Sequence, residues 1–276
     1  MSNPEHNVIH QAFRSECEQN ARNAGQDEGL KMATHDWFVR ANGHKYSYNF
    51  SWLGRPIIQY PQDIVVMQEL IWKTQPDLII ETGIAHGGSL ILNASILAMM
   101  DYAEAVKAGT TLDPKAGHRR VLGLDIDIRA HNRAAIEGHH LAHMIKMIQG
   151  SSISSSVIQQ VHEFAKGYSR ILVSLDSNHT HDHVLSELEA YAPLTSRGSY
   201  CVVFDTVIDD LSDDMFSDRP WKKGNSPKSA VREYLKRIKD SGRTAKDGGS
   251  LQFEVDKDIE NKLLVTVAPD GYLKRI

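Results

Sequence analysis

Cysteine is nearly absent: Cys17 and Cys201 are the two in 276 residues, far apart and in no Cys-x-x-Cys pair. That excludes a disulfide framework and a thiolate zinc site. A dominant charge is missing too, since 31 Lys and Arg against 35 Asp and Glu leave a formal net charge of −4 with both signs mixed along the chain. No basic face for nucleic acid stands out. Long hydrophobic runs are scarce. The most apolar stretch, Leu90 to Met100, is interrupted by Asn93 and Ser95 and is too short to cross a bilayer. The opening Met1-Ser2-Asn3-Pro4-Glu5-His6 is polar and does not read as a secretory leader, so a cytoplasmic protein with no membrane span is expected. What is present is 41% hydrophobic content, enough for one large α/β domain with an appendage.

Residues 1–45 are polar and helix-prone, with Gly25 and Gly29 breaking the pattern. The aromatic, turn-rich stretch Tyr46 to Pro56 follows and leads into a helix from Ile64 to Lys73. From Asp77 strand and helix patterns alternate: strands 78–81, 120–125, 145–149, 170–175 and 199–204, with helices 89–101, 130–142, 153–166 and 181–191 between them. Such alternation predicts a doubly wound, Rossmann-like parallel sheet with covering helices. After a helix near 228–239, Leu251 to Val255 and Lys262 to Val267 are expected to form a C-terminal antiparallel hairpin. The chain thus divides into an N-terminal helical segment and aromatic lid, 1–60, and a ligand-binding domain, 61–276. A polar segment outside the alternating core packs on the domain or joins subunits, and a homo-oligomer is expected.

The chemistry gathers at strand ends. Leu78-Ile79-Ile80-Glu81 runs into Thr82-Gly83-Ile84-Ala85-His86-Gly87-Gly88-Ser89, a glycine-rich turn that opens a helix. Glycines allow the turn to tighten and a ligand to approach the backbone, and the helix N-terminus can receive an anionic group. The spacing matches neither Gly-x-Gly-x-x-Gly nor the phosphate-binding loop. Glu81 at the strand tip would repel a pyrophosphate and suits an ammonium or sulfonium, which points to S-adenosylmethionine. Asp125, ending the strand Val121-Leu122-Gly123-Leu124, is the candidate for the ribose hydroxyls. Gly150, Ser151 and Ser152 fall where such a fold places the adenine edge.

The densest set of ligands and bases is Asp176-Ser177-Asn178-His179-Thr180-His181-Asp182-His183. Asp176 and Asp205 end neighbouring strands, and two oxygen ligands plus water suit Mg²⁺, which would hold and acidify a substrate hydroxyl. His179 is placed to accept the hydroxyl proton. His181, Asp182 and His183 read as the polar start of a helix, with Asp182 favourable near its positive end. A dinuclear zinc hydrolase would need His-x-His-x-Asp-His, and this run is one residue short with no later histidine.

These motifs resemble the class I methyltransferases known as cephalosporin hydroxylases, with rhamnosyl O-methyltransferases among their relatives. The resemblance covers residues 46–276 and rests on Asn49-Phe-Ser-Trp-Leu-Gly-Arg-Pro56, Glu81 to Ser89, Asp125-Ile-Asp-Ile-Arg129, Asp176 to Val184, Gly224-Asn-Ser-Pro227 and Pro269 to Arg275. It implies that Glu81, Gly83, Ser89, Asp125 and Ser152 surround S-adenosyl-L-methionine, with Gly87 and Ser151 in the same turns, and that Asp176 and Asp205 hold Mg²⁺. A looser match to catechol-type O-methyltransferases puts His179 in the place of their lysine base and Thr206 in that of a third oxygen ligand. Two departures stand out. The family commonly has Glu-Asp where this chain has Phe204-Asp205, and a basic residue, often arginine, where it has His86.

Methyl transfer to a hydroxyl of a sugar, glycan or secondary metabolite is therefore the leading expectation. Tyr46, Tyr48, Trp52 and Trp221 are candidates to stack on sugar rings, and the loop Thr206 to Pro227, with Asp209, Asp210, Asp213 and Asp214, to shape the acceptor pocket. Two alternatives differ in requirement: an oxygen-dependent hydroxylase with iron on Asp176, His179 and His183, and a cofactor-binding scaffold without turnover.

Overall fold

The computed structural model describes residues 4–239 and 241–276. Helices α1 (Pro4–Gln26) and α2 (Glu28–Gly43) come first, and the Asp27 carboxylate starts the second by accepting the Leu30 N–H. A small antiparallel hairpin follows, β1 (Phe50–Trp52) and β2 (Arg55–Ile57). Helix α3 (Pro61–Thr74) carries its proline at the first turn, where the missing N–H would be unpaired anyway. The alternating part runs β3 (Leu78–Thr82), α4 (Gly88–Ala108), β4 (Arg120–Asp125), α5 (Ala130–Glu137), β5 (Ile145–Gln149), α6 (Ser155–Ala165), β6 (Ile171–Leu175), α7 (His181–Tyr191), β7 (Tyr200–Val203) and α8 (Pro227–Lys239). The chain closes with β8 (Phe253–Val255), α9 (Lys257–Leu263) and β9 (Tyr272–Arg275).

Seven strands form one sheet in the order β5-β4-β3-β6-β7-β9-β8, with β9 antiparallel to both its neighbours and the first five strands parallel. The winding direction reverses between β3 and β6, and the crevice beyond their carboxyl ends is where open α/β sheets take ligands. Every residue of β3, β6 and β7 is buried, because helices cover both faces. Alternate residues feed two cores: Ile79, Leu172 and Val202 pack with α3 and α4, while Ile80, Val173 and Val203 pack with α6, α7 and α8.

Two expectations about elements need correction. Lys262 to Val267 is not a strand: the run ends α9 and then forms an irregular segment, and Tyr272–Arg275 is the strand. Buried Asp63 of α3 decides this, accepting from Thr266 Oγ1 (2.5 Å), Val267 N (3.1 Å) and Tyr272 Oη (2.7 Å), so the apolar run is tied down as a loop. Helix α4 also outruns its sequence pattern, continuing to Ala108 before Gly109, at φ +65°, ends it. At 21 residues it is long and apolar enough to cross a membrane, but nine of its residues are buried against the rest of the protein. The N-terminal segment packs on its own domain, since Gly25 lies so close to Asn261 of α9 that a Cβ would collide with it, and within the segment Phe38 stacks on Tyr60 at 5.0 Å.

Candidate active site

The glycines at the β3 tip serve the protein's own backbone. Gly83, at φ +87°, lies where a Cβ would strike the Asp176 carbonyl oxygen, and a Cβ on Gly88 would strike Pro56 and Ile57 of the hairpin. The start of α4 is therefore covered by β2 and is not open to an anion as the sequence suggested. Arg55 completes the clamp, donating through Nε to the His86 carbonyl (3.0 Å) and through Nη2 to Asn132 Oδ1 (3.1 Å), while Asn132 Nδ2 donates to the Ala85 carbonyl (2.8 Å). A guanidinium thus does reach the His86 position, but from Arg55.

Glu81 also differs from its expected role. It is 2% exposed, with one oxygen accepting from the Ser89 hydroxyl and the other from Asn93 Nδ2 at 2.7 Å. It faces α4 rather than a ligand, and desolvation pushes its carboxyl up to about 7 despite those two hydrogen bonds. Asp125 holds the turn from the other side, accepting from Ile84 N (2.9 Å) and Ala85 N (3.3 Å) through Oδ2 and from Asp127 N (3.0 Å) through Oδ1.

Two adjoining spaces open at the sheet's carboxyl edge. A narrow cleft of about 50 Å³ is bounded by Ile57, Gly83, Ile84, His86 and Ser89. A cavity of about 510 Å³ lies beside it, walled by Phe38 and Tyr48 of the N-terminal segment and by Leu211, Phe216 and Trp221 of the loop after β7. Ile58, Gln59, Ala85 and Asp176 border both. Gly87, Asp125, Ser151 and Ser152 line neither space. Ser152 is buried, its hydroxyl 3.0 Å from His183 Nε2, and the Ser151 carbonyl accepts from Ser154 Oγ at 2.8 Å.

On the cavity floor β6 and β7, paired at Leu175 and Val203, deliver Asp176 and Asp205 side by side. Asp176, His179 and Asp205 each offer an atom within 4.8 Å of the others, and His179 Nε2 is 3.3 Å from Asp205 Oδ2. Trp221 packs edge-on against His179 at 4.7 Å. Desolvation, then the charges of Asp205, Glu81 and Glu187, hold the Asp176 carboxyl well above the usual carboxylate range. Negative charge is concentrated at these strand tips, while Lys45 and Arg219 line the same cavity.

Thr206 does not join the cluster: it is buried, with Oγ1 donating to the Pro269 carbonyl at 2.5 Å. Phe204 points into the core shared with Tyr200 and Val202, so no third carboxylate replaces it. His183 is more than a helix start, since its Nε2 also lies 3.3 Å from Ser177 Oγ and 3.5 Å from Glu187 Oε1. Those partners keep it outside the Asp176 cluster, which tells against the iron arrangement. Tyr46 and Trp52 are packing residues: Tyr46 sits against Trp37, Phe50 and Tyr60, and the Trp52 indole donates to Ser95 Oγ at 2.9 Å. Tyr48 and Trp221 do face the cavity. Three of the four loop acids are anchors: Asp209 accepts from Gly224 N (2.7 Å) and Ser226 Oγ (2.8 Å), Asp210 pairs with Lys228, and Asp213 accepts from Lys223 N at 3.1 Å. Arg55, Gln59, Tyr60 and Glu187 escaped the sequence reading, and only Arg55 lay in a quoted motif.

A sequence model of the Rhamnosyl O-methyltransferase/CmcI family matches residues 44–276. The chain belongs to that family. It is 27% identical over 245 residues to the rhamnosyl O-methyltransferase of Mycobacterium tuberculosis (strain ATCC 25618 / H37Rv), covering 84% of this chain and 83% of that one. The rhamnosyl O-methyltransferase of Mycobacterium leprae (strain TN) is 28% identical over 170 residues, 59% of this chain and 66% of the relative. Among solved structures, one described as cmcI-D160 Mg-SAM aligns with a TM-score of 0.52 at 17% identity, over 83% of this chain and 77% of that one. The family's members and this sheet share the class I methyltransferase fold.

Proposed function

We propose that this chain transfers a methyl group from S-adenosylmethionine to a hydroxyl on a sugar-bearing acceptor, with a divalent cation held by Asp176 and Asp205. The observation that carries the reading is the Asp176, His179 and Asp205 cluster at the switch point of a methyltransferase sheet, where the narrow cleft meets the large cavity. The family supports the donor and the class of reaction, and the rhamnosyl name of the relatives supports a sugar acceptor.

The donor fits the β3, β4 and β5 tips. Asp125 uses one lone pair of Oδ1 for a backbone N–H and retains others for ribose hydroxyls. Ile126, 72% exposed, and Ile153, 38% exposed, flank that edge and offer apolar surface for adenine. The cation fits as well: Asp176 and Asp205 bring two carboxylates within reach of one point, with the Asp176 carboxyl raised by desolvation and then by the neighbouring carboxylates, and they make a donor set for a hard divalent ion completed by water and substrate, leaving His179 beside them as the base. When bound, Mg²⁺ would polarise the acceptor hydroxyl and ease its deprotonation.

His179 then receives the proton. Asp205 Oδ2 lies 3.3 Å from its Nε2, and Trp221 packs edge-on against the ring. Tyr48, Phe216 and Trp221 give the acceptor apolar faces on which to lie. Because the sulfonium is a reactive leaving group, alignment of oxygen, methyl and sulfur is the protein's main task.

The test is calorimetry with S-adenosylmethionine, followed by transfer of labelled methyl to rhamnosyl glycosides with Mg²⁺ or with chelator. His179→Ala should lower kcat by about 10²–10⁴-fold while donor affinity stays the same. Absence of donor binding by the wild type would overturn the proposal, and binding with no His179-dependent transfer to any glycoside would favour a scaffold.

A further inference from the structure

The neck between cleft and cavity is bordered by four residues, and any group passing from one space to the other passes them. Ile58 and Ala85 offer apolar side chains, and Asp176 is grouped with Asp205 and His179. Gln59 is the remaining polar one. It is 6% exposed, and its amide oxygen has no hydrogen-bond partner among the described residues. A buried amide oxygen left unpaired is destabilising, and native structures keep few of them. Nor can the residue withdraw easily, because Ile57 two positions before it is wedged against Gly88 and Tyr60 just after it is stacked on Phe38.

We infer that Gln59 is a positioning residue for the methyl donor, its amide oxygen facing the sulfonium and its polarised methyl C–H bonds at the neck. This rests on the donor proposed above. The chemistry favours an amide: its oxygen carries partial negative charge for the cation, yet it is a poor nucleophile and does not compete with the acceptor for the methyl. After transfer the thioether product has neither the positive charge nor the methyl, so the contact disappears. Gln59 therefore separates donor from product.

The experiment is calorimetric titration of S-adenosylmethionine and S-adenosylhomocysteine into wild type, Gln59→Met and Gln59→Glu, each checked for folding by its melt. Methionine keeps the side chain's length but removes the acceptor, and should weaken the donor by roughly tenfold while leaving the product within about twofold, the loss of one charge-assisted contact. Glutamate retains an oxygen and should restore preference for the donor. Equal weakening of both ligands in Gln59→Met, or no weakening of either, would overturn the inference while leaving the donor assignment standing. Wild type that binds neither ligand would overturn both.

Discussion

Glu81→Gln should stabilise this protein, and by an amount that depends on pH. The wild-type carboxyl is 2% exposed and is pushed up from its ordinary value of 4.5 to about 7, chiefly by desolvation. A carboxyl raised on folding contributes fully below the unfolded value and loses that contribution as pH climbs toward the folded value, because the unfolded chain ionises first. At 1.36 kcal/mol per pKa unit, that loss reaches about 3 kcal/mol once pH exceeds 7. Glutamine is not ionisable and escapes it. Its amide oxygen can still accept from Ser89, and its NH₂ can face Asn93, whose Oδ1 has no partner among the described residues. Urea unfolding of both proteins from pH 4.5 to 8.5 should therefore show stabilities that diverge as pH rises and run parallel above about pH 7.5, with Glu81→Gln the more stable by about 3 kcal/mol. A constant difference across the range, or a variant less stable than wild type at pH 8, would refute the account of Glu81 as a buried group serving α4.

Gly83→Ala should cost about 2–4 kcal/mol in urea unfolding and weaken calorimetric Mn²⁺ or Mg²⁺ binding, because φ +87° and the Asp176 carbonyl both oppose a Cβ at the point where β3 sets the position of the β6 tip. His183→Ala should cost about 1–3 kcal/mol by the same assay, since it strips a partner from Ser152, Ser177 and fully buried Glu187; unchanged stability would show that this histidine is only a helix start.

Local sequence patterns carry the alternation of strands and helices from Asp77 to Val203, and with it the identity of the residues at the strand tips. Those signals are local: apolar runs, turn glycines and the acids that follow them depend on neighbours within a few positions. From them came the doubly wound sheet, the pairing of Asp176 with Asp205, and the nearness of His179. Tertiary structure decided which way each tip residue turns. Glu81 looked like a ligand for a cation because it sits near a strand's end, yet Ser89 and Asn93, in the first and second turns of α4, claim both of its oxygens. The glycines of the same turn looked like space for a ligand, and that space is taken by the Asp176 backbone and by the hairpin. Asp63, more than two hundred positions away, makes a loop of Val265 to Ala268, whose composition favours a strand. Gln59 and Tyr60 carry no motif, and only the folding of α2 and the hairpin over the sheet edge brings Gln59 to the neck and Tyr60 to the cavity wall. A side chain's partner across a sheet edge is set by strand order and by what the far ends of the chain cover, and no window of neighbouring residues contains that information.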